Sequence, residues 1–379
     1  GAAVGPQGTA TLTITDNDAP DVLKIMPLGD SITHGWNTFP GGYRDRLENL
    51  LTDNNIAFDF VGTADDNGPA SLSDKDHQGH PGWRIDEIAA SVSPWLQAET
   101  PDVVQLLIGT NDVIQDHFLE TAPDRLSALI DQILTELPDV HVVVATIPPA
   151  ERSSLNNSVN DYNASISGIV DDKVAQGKSV SFVDMNSQMT VDDLGDRVHP
   201  NQTGYDKMAG VWFDGLLDIL DDYGDYNAIS DEFYVDAAVT ASDDHSTTVS
   251  AELVNNTSAS RSDLSFRYFV DITELLDAGY TENDVLIGDI SGPTVGDLTL
   301  WDSTEDVYYV DVDFSGVAIA SGDTASVEFS LGIAPSNPGS AWDATNDWST
   351  QDLGTGLAKS RYLPVYDSSE NLLSGVVPA

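Results

Sequence analysis

The sequence predicts a three-layer α/β domain, with a parallel sheet covered by helices on both faces, followed by an all-β sandwich. From residue 21 to 222, apolar β-rich runs alternate with stretches of helical periodicity, as in a chain that crosses repeatedly over one parallel sheet. That periodicity breaks at Asp221-Asp222-Tyr223-Gly224-Asp225-Tyr226-Asn227, and from 231 to 379 the chain carries short β-rich runs separated by Asn-Asn, Ser-Gly and Asn-Pro turns. A length of 379 residues also suits two cores better than one, with 223–230 as the linker.

Before the first domain, residues 8–18 alternate apolar and hydroxyl side chains and stop at the acidic turn Asp16-Asn17-Asp18, which reads as one edge strand inside a tail of residues 1–20. Five parallel strands are then expected at 22–28, 58–62, 103–108, 141–147 and 180–184, each bounded by turn residues. The clearest helix follows Pro123, with Leu126, Leu129, Ile130, Ile133, Leu134 and Leu137 on one face and Pro138 closing it. A second apolar face, formed by Tyr205, Met208, Ala209, Trp212, Leu216 and Ile219, begins just after His199. In the second half, strands are expected at 249–254, 264–270, 307–314, 325–332 and 363–366.

Charge and composition limit the function. Sixty-three acidic residues against fifteen basic ones give a net charge of −48, which argues against nucleic acid and anionic membrane surfaces as partners. A neutral polysaccharide is compatible with that charge, and divalent cations are attracted by it. The absence of cysteine removes disulfides and thiolate metal sites. No apolar run reaches the roughly 18 residues of a membrane span. No signal segment opens the sequence, so secretion would require a signal lying outside it.

The chemistry centres on the first strand, which runs into Gly29-Asp30-Ser31 and would deliver Ser31 to the carboxyl edge of the sheet, where open α/β sheets bind their ligands. A serine hydroxyl needs a base, a partner that orients the base, and donors for an oxyanion. Asp196 and His199, three residues apart before the last helix, can supply the first two. Gly82, in Gly79-His80-Pro81-Gly82-Trp83, and Asn111, in Gly109-Thr110-Asn111-Asp112, can supply donors at the same edge.

In this order, the four blocks resemble the SGNH (GDSL-type) hydrolase family. The resemblance implies a flavodoxin-like fold with Ser31 as nucleophile, His199 as base and Asp196 as its orienter. It also implies an oxyanion hole made by the Ser31 amide, the Gly82 amide and the Asn111 side chain. The run from Pro69 to Trp83, with Gly42-Tyr43-Arg44 and Asp59-Phe60-Val61-Gly62 before it, resembles carbohydrate esterase family 3. That implies removal of acetyl groups from a plant-type polysaccharide such as acetylated xylan, without a catalytic cofactor. The 8–18 strand resembles the closing strand of a Calx-beta domain, which implies a larger, secreted or cell-surface protein.

The second domain resembles carbohydrate-binding module family 3 in Arg267-Tyr268-Phe269-Val270-Asp271-Ile272-Thr273-Glu274, in Tyr308 to Gly316, and in Trp342-Asp343-Ala344-Thr345-Asn346-Asp347-Trp348-Ser349. The resemblance implies a structural calcium held by Asp271, Glu274, Asp343, Asn346 and Asp347, whose oxygens suit a hard cation. Cellulose or another glycan is the implied partner, provided that aromatics such as Trp301, Trp342 and Trp348 form a flat exposed face. Two other readings are an esterase or lipase for other acyl chains, and a noncatalytic polysaccharide-binding scaffold or adhesin fragment.

Overall fold

A computed structural model describes residues 22–35, 39–220, 230, 232–302, 306–334 and 342–378. The 8–18 strand and nearly all of the 223–230 linker lie outside the described residues.

The first domain runs β1 (Leu23–Gly29), α1 (Ser31–His34), α2 (Arg44–Asp53), β2 (Phe58–Phe60), β3 (Gln78–Gly79), α3 (Ile85–Glu99), β4 (Val103–Leu107), α4 (Thr110–Ile114), α5 (Ala122–Glu136), β5 (His141–Ala145), α6 (Ser153–Asn163), α7 (Ile166–Val174), β6 (Val180–Val183) and α8 (Gln202–Leu220). The sheet order is β2-β1-β4-β5-β6, parallel throughout, with β3 beside the end of β1. This is the flavodoxin-like order, and its direction reverses at β1. Residues of β4 and β5 are buried on both faces, as expected for a sheet between two helical layers. One layer pairs α2 with α8 and the other pairs α3 with α5.

The expected strand at 58–62 stops at Phe60, because the chain turns away toward His77. A Cβ on Gly62 would lie 2.3 Å from the His77 carbonyl oxygen. Two-residue β3 has no apolar period by which sequence reading could find it.

The second domain contains β7 (Phe233–Ser242), β8 (Ser246–Asn255), β9 (Leu264–Asp271), α9 (Thr273–Asp277), β10 (Val285–Ser291), β11 (Thr294–Val295), β12 (Thr299–Asp302), β13 (Val307–Asp313), β14 (Asp323–Ile333), β15 (Ala358–Ser360), β16 (Val365–Asp367) and β17 (Leu372–Ser374). They form two antiparallel sheets, ordered β10-β14-β8-β7-β15 and β11-β13-β9-β16-β17, with β12 on the far side of β13. Side chains alternate in and out along β8 and β9, and their inward residues Leu253, Phe266 and Tyr268, with Val312 of β13 and Phe329 of β14, form the core between the sheets.

Trp342 and Trp348 belong to buried structure. Trp342 Nε1 donates to Thr247 Oγ1 at 2.9 Å, and Trp348 packs edge-on against Tyr362. Trp301 is the exposed member of the three, so they do not form a shared flat face.

The two domains meet on α2 and α8. Trp348, Tyr362, Tyr366, Val376 and Val377 join the hydrophobic cluster of the first domain. Buried Asn54, just past α2, fixes the register of this contact. Its Oδ1 accepts from the Val377 amide at 2.7 Å while its Nδ2 donates to the Leu50 carbonyl at 2.7 Å. Arg361 donates to the Leu217 carbonyl near the end of α8.

Candidate active site

The site is assembled at the carboxyl ends of β1 and β4. Gly29 ends β1 where no side chain fits, since a Cβ there would lie 2.2 Å from the Leu107 carbonyl oxygen and 2.5 Å from Thr33 Oγ1. Asp30 then caps α1, its Oδ1 accepting from the Ile32 amide at 2.9 Å. Ser31 is thereby placed at the first helical position, where its own amide has no intrahelical acceptor.

His199 reaches Ser31 from the far end of the domain. Ser31 Oγ lies 2.9 Å from His199 Nε2, and His199 Nδ1 lies 2.8 Å from Asp196 Oδ2. With the carboxylate accepting at Nδ1, the neutral imidazole carries its proton there and presents Nε2 as an acceptor for the serine hydroxyl. Asp196 Oδ1 also accepts from the amides of Val198 and His199. Partial burial raises the Asp196 carboxyl, but these two amides and the imidazole outweigh it and hold the group below the usual carboxylate range.

The loop carrying this pair is closed at its base. Gly195 N donates to the His199 carbonyl at 2.8 Å and Asn201 N donates to the Asp193 carbonyl at 2.8 Å, directly before α8. Gly215 lets α8 sit close on the sheet, because a Cβ there would meet Val183 Cγ1 at 2.5 Å.

The Gly82 and Asn111 blocks converge on the same edge. His80 N donates to the Gly29 carbonyl at 2.9 Å, which ties the Gly79 to Trp83 turn to the end of β1. Asn111 Nδ2 donates to the Trp83 carbonyl at 3.0 Å and to Asp30 Oδ2 at 3.3 Å. Gly109 precedes it at φ +127°, with the Tyr162 ring so close that a Cβ would lie 2.5 Å from it. Gly82, at φ +85°, has open space on its Cβ side and accepts from Gln115 Nε2 at 3.3 Å through its carbonyl.

Sequence reading passed over several supports of this arrangement. Fully buried Asp30 both caps α1 and anchors Asn111; burial pushes its carboxyl up to about 7, against the pull of the Ile32 amide and of Thr110 and Asn111. Its position immediately before Ser31 is a capping signal that could have been used. Arg125 pairs with buried Asp112 at 2.6 Å beside Asn111, and the His80 ring stacks on both Trp83 and Trp95, whose own ring centres are 6.1 Å apart. These contacts join residues distant in sequence and leave no local pattern.

His34, Asp66 and His77 also cluster nearby. Their hydrogen bonds argue against a metal, because His77 Nδ1 accepts from the Gly79 amide at 2.9 Å. The remaining proton must then sit on Nε2, which faces the Asp66 carbonyl at 3.2 Å.

The five oxygen-bearing residues of the second domain gather at one corner. Fully buried Asp347 accepts from the Asp271 amide at 3.0 Å and from the Tyr268 hydroxyl at 3.1 Å, while Glu274 accepts from the Asp343 amide at 3.3 Å and Asn346 Nδ2 at 3.0 Å. Burial pushes the Asp347 carboxyl well up, with the charges of Glu274 and Asp271 adding to the effect. Among the described residues no lysine or arginine forms an ion pair with any of the four carboxylates. The residue types suit a hard cation, but among the described residues no three of these four carboxylates bring ligand atoms within 4.8 Å of one another, so the donors are not drawn into one binding set in this structure.

Known proteins match both halves. The profile of the GDSL-like lipase/acylhydrolase family covers residues 28–207, and that of the cellulose binding domain covers 234–375. A family 3 carbohydrate esterase of Clostridium thermocellum is 40% identical, aligns over 54% of this chain and 99% of its own, and superposes with a TM-score of 0.50. A multidomain esterase of Ruminococcus flavefaciens is 31% identical over 227 residues, 53% of this chain and 29% of that protein. Endoglucanase 4 of Bacillus sp. (strain KSM-522) is 34% identical over 157 residues, 40% of this chain and 24% of that protein. The chain thus spans about a quarter to a third of the length of these two curated relatives. With the fold and four sequence blocks in agreement, the chain belongs to the GDSL-like lipase/acylhydrolase family, in its family 3 carbohydrate esterase branch, and carries a cellulose binding domain behind the esterase domain.

Proposed function

We propose that this protein is an extracellular serine esterase that removes O-acetyl groups from a plant-type polysaccharide such as acetylated xylan. The observation that carries the reading is the continuous hydrogen-bonded relay from Ser31 through His199 to Asp196 at the edge of the sheet. In the first step Ser31 Oγ attacks the acetyl carbonyl carbon while His199 Nε2 takes the hydroxyl proton. Negative charge collects on the former carbonyl oxygen, where the Ser31 amide, the Gly82 amide and the Asn111 side chain are the donors. Collapse breaks the ester bond, and His199 returns its proton to the departing sugar hydroxyl. Water, deprotonated by the same imidazole, then attacks the acetyl carbonyl of the acetyl-serine; the bond to Ser31 Oγ breaks, the serine oxygen takes the proton back from His199, and acetate is released. Asp196, held as a carboxylate, stabilises the imidazolium in both halves.

The test is acetate release from acetylated xylan by the full chain, compared with the Ser31→Ala protein and with longer-chain acyl esters. Release that depends on Ser31 and is fastest with acetyl supports the reading. Equal or faster turnover of long acyl esters would make the protein a general lipase instead.

Calcium at the second domain belongs to the same proposal, as a structural ion. Asp271, Glu274, Asp343, Asn346 and Asp347 would hold it, and its charge would offset the burial of Asp347 and the mutual repulsion of the carboxylates. An ion bound to the folded form alone stabilises it by about 2.7 kcal/mol at a hundredfold excess over its dissociation constant. A chelator is therefore expected to lower the melting temperature of the full chain by about 5 °C or more, with added calcium restoring it. Acetyl ester hydrolysis below that temperature should be unaffected. Identical melting with and without calcium would remove the ion from the account.

A further inference from the structure

Where the two domains meet, the surface carries a half-open pocket of about 630 Å³ lined by both. That volume lies within the range of small-molecule sites, about 300–1,000 Å³. The esterase wall is the outer face of α2, where Arg46 and Asp53 stand seven residues apart, two turns or about 10 Å along the helix. The opposite wall carries Arg267, Trp301, Glu370 and Asn371.

The second wall is built before any ligand arrives. The Arg267 guanidinium lies 4.6 Å from the Tyr309 ring centre and 4.3 Å from that of Tyr366, and it is paired with Glu370. Trp301 stands edge-on to Phe269 and Tyr309, which fixes its orientation while 36% of its surface stays open. Side chains already ordered in this way cost little entropy on binding.

Charge narrows the choice of occupant. The pocket lining holds two arginines and two carboxylates and is therefore electrically balanced, in a chain whose net charge is −48. An anionic ligand would gain nothing from this balance and would be repelled by the rest of the protein, whereas a purely apolar ligand would leave four charged groups desolvated. A pyranose meets both demands, with a C–H face for the indole and a rim of hydroxyls that both donate to carboxylates and accept from guanidinium groups.

We infer that this pocket is a composite subsite for a neutral oligosaccharide, with one wall supplied by each domain. The inference deepens the proposed function, since it gives the polysaccharide a second hold on the protein away from Ser31. It also differs from glycan binding by the second domain alone, because Arg46 and Asp53 belong to the esterase domain.

Calorimetric titration of the full chain with unacetylated xylohexaose and cellohexaose tests it, since neither probe carries an ester. Binding of at least one, weakened about tenfold or more by Trp301→Ala and also by Arg46→Ala, with unchanged melting temperatures, is the expected result. Should Arg46→Ala fold poorly, Asp53→Ala examines the same wall. Absence of binding to both probes, or binding sensitive to Trp301→Ala but not to changes on α2, would overturn the composite site. Loss of esterase activity in Ser31→Ala with binding intact separates the two proposals, as each can fail without the other.

Discussion

Ser31→Ala is expected to lower kcat for acetyl ester hydrolysis by on the order of 10⁴-fold or more, and His199→Ala by a similar factor. The reason is that the two groups act as one unit, with the serine oxygen hydrogen-bonded to the imidazole that must take its proton. Once either is gone, the other has no partner in the reaction, so the double variant should be no slower than the worse of the two single ones. That failure of additivity is a sharper test than the loss itself, since two independent contributions would multiply. Ser31→Ala deletes a single oxygen beside the cap of α1 and leaves the Asp30 to Ile32 bond in place, so its melting temperature should match that of the wild type. Substantial turnover in either single variant would end the assignment of this pair.

Asn111→Ala is expected to reduce kcat by roughly a hundredfold or more with little change in KM, the pattern for a donor used chiefly in the transition state. Asn111 Nδ2 has two protons, and the Trp83 carbonyl and Asp30 take both here, so to serve an oxyanion the side chain has to release one of these bonds, the longer one to Asp30 being the one that yields. Removing it also leaves the fully buried Asp30 carboxyl with one donor fewer. Melting should accordingly be measured beside the kinetics, so that loss of fold is not read as loss of catalysis. A change confined to KM would make Asn111 a substrate-binding residue.

Much of the first domain could be read from the sequence because its strands are buried on both faces. Val103, Val104, Leu106 and Leu107 are all solvent-free, and a strand covered on both faces reads as a nearly continuous apolar run, interrupted here by the buried Gln105. The stripes on α5 and α8 were visible for a related reason, each having one face on the sheet. Strand β7 was harder, since Asp236, Ala237, Ala238 and Thr240 dilute the alternation in Phe233–Ser242. Strands β10, β12 and β15 lie at sheet margins, where exposed residues such as Leu286 and Leu300 blur the pattern. Ser31, Asp196 and His199 stood out because reactive residue types occurred in a recognisable order. The anchoring of Asn111 by Asp30, the Arg125 to Asp112 pair and the keying of Val377 by Asn54 depend on close approaches that no local pattern encodes.

The apolar seam between the domains bears on how such proteins can be reassembled in evolution. A module that merely hung on a linker could be moved from one catalytic partner to another with no cost beyond the join. Here Trp348, Tyr362, Val376 and Val377 would be uncovered by such a transfer, and the Val377 amide would lose the Asn54 acceptor. An exposed cluster of that kind invites aggregation unless the new partner presents a matching helix pair. The seam therefore makes α2, α8 and the final strands of the sandwich a unit of inheritance, in which a change on either side selects for a compensating change on the other.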